Sequence, residues 1–210
     1  MAESRHELPI FELPMVLLPG ELLPLHIFEE RYKRMVGGAL DSGQPFGIVF
    51  RDEEGAARNV GCTARVAEVS ERFEDGRLNI VVAGERPFRV LDRFEEADYP
   101  AGEVELIDLD AEEPDPDEEA ARSARTTFSE LLEKVGSEPA SAEDLAAQGA
   151  YELAGRIELP GDTKQRLLEL RSEDERMRLL ERSLDAVAGA IRRSTEITER
   201  ARSNGRVTPP

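Results

Sequence analysis

The sequence predicts an α+β protein. A β-rich N-terminal half closes into a small barrel with one short helix, and a C-terminal helical bundle follows. Three observations predict this. Up to about residue 110, apolar residues come in short runs or alternate with polar ones, which is the pattern of strands. From about residue 118 they recur every three or four residues, which is the pattern of helices. Between the two, "DAEEPDPDEE" (110–119) holds seven acids and two prolines in ten residues and fits neither pattern. It reads as a solvated linker entering a helix N-terminus, where acids complement the macrodipole, in preference to an acidic docking site. The expected organisation is a barrel domain over 1–110, a linker over 111–117, a helical subdomain over 118–196 and a disordered tail over 197–210.

The first element is "ELPIFELPMVLLPGELLPLHIFEERY" (7–32), apolar almost throughout, with prolines at Pro9, Pro14, Pro19 and Pro24. Each proline in a helix interior costs about 3 kcal/mol, so no continuous helix forms and no membrane span is expected. Nor is a signal peptide expected, because Glu3 and Glu7 offset Arg5 and no unbroken apolar core follows. The run reads as short buried strands joined by fixed turns. "MVLL" (15–18) is expected as a strand, Pro19-Gly20 as a turn, and Leu22-Leu23-Pro24-Leu25 as extended chain again.

Phe28 to Leu40 then reads as an amphipathic helix. Phe28, Tyr32, Met35, Val36, Ala39 and Leu40 share one face, and Glu29, Glu30, Arg31 and Arg34 lie on the others. Strands are expected at 46–50, 60–69, 77–84, 88–94 and 102–110, with "EDG" (74–76) as a hairpin turn. Beyond the linker, helices are expected at 118–135, 142–156, 162–170 and 172–193. Ser141 and Ser172 each stand three residues before an acid, the capping-box spacing. On the last helix Met177, Leu180, Leu184, Val187 and Ile191 form a heptad-like stripe, which packs against its neighbours or forms a homodimer contact.

Composition narrows the function. The chain has 210 residues, is 40% hydrophobic and 34% charged, and carries a net charge of −18. Residues 1–110 hold 12 basic and 23 acidic side chains, a net −11, which argues against nucleic acid and anionic membranes as partners. The single cysteine, Cys62, makes no internal disulfide, reads as a small buried hydrophobe, and fits a cytoplasmic location. None of Lys33, Lys134 and Lys164 follows a glycine, so there is no phosphate-binding loop. There is no nucleophile elbow and no H-E-x-x-H, and two histidines are too few for most metal sites. No catalytic residue, metal or cofactor is assigned. His26, between Leu25 and Ile27, reads as hydrogen-bonded structure before ligand or base.

Three blocks carry a family resemblance. "LPIFELPMVLLPGELLPLHIFEERYKRMV" (8–36) resembles the opening of the Lon protease N-terminal domain, and most of all its bacterial stand-alone versions with their "PLHIFE-x-RY" signature. "VGCTARVAEVSERFEDGRLNIVVAGERPFRVL" (60–91) and "YELAGRIELPGDTKQRLLELRSEDERMRLLERSL" (151–184) resemble its hairpin and its helical extension. Where relatives often carry proline after "IFE", this chain has Glu30. The resemblance implies a PUA-like pseudobarrel and a part in selecting and holding polypeptides, without the ATPase and protease modules. The expected binding residues are Leu23, Leu25, His26, Phe28, Glu29, Glu30, Arg31 and Arg34, and the expected ligands are unfolded or partner polypeptides. The rival readings are RNA binding through the PUA-like fold and an uncharacterised small-molecule hydrolase.

Overall fold

The computed structural model describes residues 5–96, 99–109, 118–134 and 142–204. Among the described residues, the strands are β1 (Arg5–Leu13), β2 (Leu22–Ile27), β3 (Phe46–Arg51), β4 (Ala57–Arg72), β5 (Leu78–Glu96) and β6 (Tyr99–Leu106). The helices among these residues are α1 (Glu30–Ser42), α2 (Glu118–Lys134), α3 (Ala142–Ala146), α4 (Ala150–Ala154), α5 (Gly161–Glu169) and α6 (Glu173–Asn204). The linker 111–117 and the Ser141 cap lie outside the described residues.

The sheet runs β2-β5-β4-β3-β1-β6, and β6 also pairs with β5, which closes a five-strand ring with β2 attached outside it. All pairs are antiparallel except β1 with β3. Closure covers the edges of the ring strands along their paired lengths, with β1 open on one side beyond Pro9, where its pairing with β6 ends. Ile10, Val49, Phe88, Val90 and Val104 fill the interior. Alternate residues of the same strands, Phe11, Phe46, Ile48, Val60, Cys62 and Ala64, point outward into a larger core shared with α1 and the C-terminal helices. Burial on both faces is why "FGIVF" reads as an unbroken apolar run.

The proline run separates into parts. Pro9 lies inside β1 and Pro24 inside β2. Leu18 to Glu21 form a type II turn with Pro19 second and Gly20 third; Gly20 has φ +78° and the Glu21 N–H donates to the Leu18 carbonyl at 3.1 Å. "MVLL" is not a strand. Its main chain is taken up by this turn, where the Leu18 N–H donates to Glu21 Oε2 at 3.0 Å, while Val16, Leu17 and Leu18 fill the core as a buried loop.

Other boundaries differ for physical reasons. The runs 77–84 and 88–94 form the single strand β5, because Pro87 sits at a register shift opposite Cys62, where β4 and β5 bend. The helix expected over 142–156 is broken into α3 and α4 at Gly149, which is extended and donates its N–H to the Glu152 carboxylate at 2.9 Å. α6 is capped as expected, the Glu175 N–H donating to Ser172 Oγ at 3.1 Å. It then runs on through Asn204, carrying Gly189 inside it, so residues 197–204, expected in a disordered tail, are helical. Its seam is Met177, Leu180, Leu184 and Ala188, buried chiefly against α2, with Val187 and Ile191 half-buried. A straight helix drifts from a strict heptad, which moves the fourth contact from Val187 to Ala188. The stripe packs mainly within the chain.

Candidate functional site

The end of β2 runs directly into α1, and the end of β1 lies beside them. A groove of about 560 Å³ opens between these elements. Phe11, Glu12, Leu13 and Pro14 form one wall, Leu25 to Glu29 the other, with Arg31, Tyr32 and Arg51 completing it. Tyr32 is buried and its ring lies 4.1 Å from that of Phe11. Burial pushes its phenol above the ordinary value, so it stays neutral.

The charges of the groove are already matched. Arg31 Nε donates to Glu29 Oε2 at 2.9 Å, and its guanidinium lies 4.5 Å from the Tyr32 ring centre. Arg51 pairs with Glu12, and Arg93 donates to the other Glu12 oxygen at 3.1 Å. The Glu12 hydrogen bond holds the Arg51 guanidinium in its charged form.

An aromatic group stands at the mouth. Phe28 is 60% exposed, and its ring stacks on His26 at 5.9 Å between centres. Phe73 meets His26 edge-on at 6.0 Å, beneath Arg77 at 4.9 Å. Asn79 Nδ2 donates to Glu71 at 2.9 Å, which turns its Oδ1 toward His26 Nδ1 at 2.6 Å. His26 therefore carries a proton on Nδ1 and is held as structure.

Of the residues expected to bind, Leu25, His26, Phe28, Glu29 and Arg31 border the groove. Leu23, Glu30 and Arg34 stand outside its lining. Glu30 pairs with Lys33 at 2.8 Å. Leu25 is not a spare apolar side chain: it is 9% exposed and belongs to the core, since alternation along β2 turns Leu25 and Ile27 inward. Leu22, at 63%, is the exposed one. Phe28 leaves the apolar face assigned to it because α1 starts two residues later, with Glu29 as an extended N-cap. Sequence reasoning missed Phe11, Leu13, Arg51, Phe73 and Asn79, which come from four other stretches of chain and carry no local signal.

A second cleft, of about 630 Å³, lies among α2, α3 and the start of α6, lined by Arg122, Arg125, Leu145 and Met177 among others. Among the described residues no group of side chains is arranged to hold a metal. No described helix is long and apolar enough to cross a membrane.

The chain is similar to known proteins. Residues 7–186 match the family described as the ATP-dependent protease La (LON) substrate-binding domain. The chain is 30% identical over 92% of its length to the Lon protease of Paraburkholderia phytofirmans, and 27% identical over 90% to that of Anaeromyxobacter dehalogenans. It spans about a quarter of the length of these relatives, 26% and 24%. Among solved structures, a Lon N-terminal domain protein from Xanthomonas campestris superposes with TM-score 0.63 at 25% identity, covering 83% of this chain and 96% of that one. The N-terminal domain of the Mycobacterium avium complex Lon protease superposes with TM-score 0.69 at 20% identity, covering 86% and 98%.

Proposed function

The chain belongs to the family of the ATP-dependent protease La (LON) substrate-binding domain, and on that premise we propose that it is a non-catalytic module that holds polypeptide chains. The observation that carries the reading is Phe28, a large apolar ring left 60% exposed at the mouth of a groove whose lining mixes apolar side chains with paired charges. An exposed aromatic beside a concave surface of apolar side chains and internally paired charges supplies contact area without demanding one partner sequence. The acids and bases of the groove neutralise one another, so a varied set of unfolded segments can approach without charge selection. Nucleic acid is disfavoured by the same feature, because the groove cations Arg31 and Arg51 are both paired to carboxylates. Holding requires no chemistry from this chain, and its setting on this reading is the cytoplasm. Affinity is weak, about micromolar, because ordering a flexible chain offsets much of the contact energy.

The test is titration of reduced, carbamidomethylated ribonuclease A, which cannot refold, against the wild type and Phe28→Ala. Phe28 packs on little besides His26, so the variant should melt as the wild type does and bind about fivefold or more weakly. No detectable binding by the wild type up to millimolar concentration would reject the reading.

A further inference from the structure

The groove can accept unrelated sequences if it recognises main chain, and we infer that it takes an extended polypeptide as an added strand on the free edge of β2. This rests on the polypeptide-holding reading and specifies its mode.

The first observation is the phase of β2. Leu22 pairs with Ala83, so Glu21 falls opposite Gly84, and the Gly84 N–H donates to the Glu21 carbonyl at 2.9 Å. Hydrogen-bonded pairs alternate along an antiparallel ladder. Leu23, Leu25 and Ile27 therefore bond to β5, and Leu22, Pro24 and His26 direct their main-chain groups to the other side. Pro24 agrees with this phase, since a residue without an N–H is tolerated where the N–H would leave the sheet. No strand pairs with β2 on that side among the described residues.

The second observation is where the groove lies. Leu25, His26 and Ile27 all border it. Their side chains alternate between the two faces of the sheet, so a cavity against one face would touch only every second residue. A cavity bordered by all three faces the edge of the strand. The same holds for Phe11, Glu12 and Leu13 across it. The groove is thus a slot between two strand ends, the place an added strand occupies.

The third observation is charge. With Glu12 paired to Arg51 and Glu29 to Arg31, the slot complements an uncharged, apolar segment. β2 is 6 residues long, with Leu25 to Ile27 bordering the slot and Leu22 to Pro24 beyond its lining, so an added strand of about six residues, roughly 20 Å, would sit in the slot over half its length and along the open edge of β2 over the rest. It offers the carbonyls of Leu22, Pro24 and His26 but the N–H groups of Leu22 and His26 only, so the occupant must place no essential acceptor opposite Pro24.

The probe is a fluorescent nine-residue peptide of alternating serine and valine, with two further versions N-methylated at every second amide in either phase. Methylation in the phase facing β2 should weaken binding about tenfold or more, and methylation in the other phase should leave it within about threefold. Equal affinity of all three, or equal loss in both phases, would overturn the strand mode. In the protein, His26→Pro removes one outward N–H without touching the β5 ladder. It should bind about tenfold more weakly than His26→Ala, and equal binding by two folded variants would also overturn the proposal. If unfolded ribonuclease A binds in a Phe28-dependent way while methylation phase has no effect, only the strand mode fails. If neither ribonuclease A nor peptide binds, the polypeptide reading itself fails.

Discussion

Lys164 on α5 donates a hydrogen bond to the carboxylate of Glu21, 143 residues away, at the turn that leads into β2. The two side chains are only 13% and 12% exposed. The other Glu21 oxygen accepts the Leu18 N–H at 3.0 Å. One carboxylate thus fixes the turn, the start of β2 and the seat of α5.

Lys164→Met should be costly because it leaves a poorly hydrated carboxylate without its cation. A loss of about 2–4 kcal/mol is expected in chemical denaturation. Adding Glu21→Gln removes the orphaned charge yet keeps an acceptor for Leu18, so the double variant should recover part of the loss. A double variant less stable than Lys164→Met would show that Glu21 acts mainly through something other than this pair.

The barrel interior makes a sharper steric prediction. A Cβ on Gly47 would stand 2.6 Å from Phe88 Cζ, and one on Gly61 would stand 2.3 Å from the Ile48 carbonyl oxygen. Both substitutions by alanine should destabilise by about 1–3 kcal/mol or more. Phe88→Leu should partly rescue Gly47→Ala, whose first obstacle is the ring. It should not rescue Gly61→Ala, whose first obstacle is backbone. Thermal melts of the four variants decide this.

Alkaline pH should unfold the protein partly through Tyr151. Its hydroxyl donates to the Leu167 carbonyl at 3.2 Å, and burial pushes its phenol up to about 12. An unfolded tyrosine ionises near pH 10. The raised folded value means the contribution is intact below about pH 10 and falls away as pH rises toward 12, by roughly 2–3 kcal/mol at the upper end. Burial also raises the Cys62 thiol, so wild-type stability should begin to fall near pH 9. The difference between wild type and Tyr151→Phe isolates the tyrosine: it should shrink between pH 10 and 12, and a constant difference would contradict the assignment.

The fold was largely legible where a local rule acts alone. Pro19-Gly20, the "EDG" turn with Gly76 at φ +80°, and the Ser172 cap are each set by a few adjacent residues, and each forms as expected. The errors fall where tertiary structure overrides local pattern. "MVLL" has strand composition, but its partners are a turn and a core rather than a ladder. Pro87 looks like a strand break, but a bulge absorbs it. At the groove, the second wall was legible from Leu25 to Arg31 because it is contiguous. The first wall was not, because Phe11 to Pro14 reach it only once β1 has been placed beside β3. Which of Leu22 and Leu25 is exposed depends on the phase of β2, which Glu21 and Gly84 set and composition does not.

We propose that polypeptides bind in the slot between the ends of β1 and β2. The most direct measurement is an amide chemical-shift map of the isotopically labelled protein, titrated with reduced, carbamidomethylated ribonuclease A. The largest changes should fall on Leu22 to Tyr32 and Phe11 to Leu13, with saturation at about micromolar to tens of micromolar concentration. Changes confined to the cleft among α2, α3 and α6, with residues 22–32 unmoved, would contradict the account.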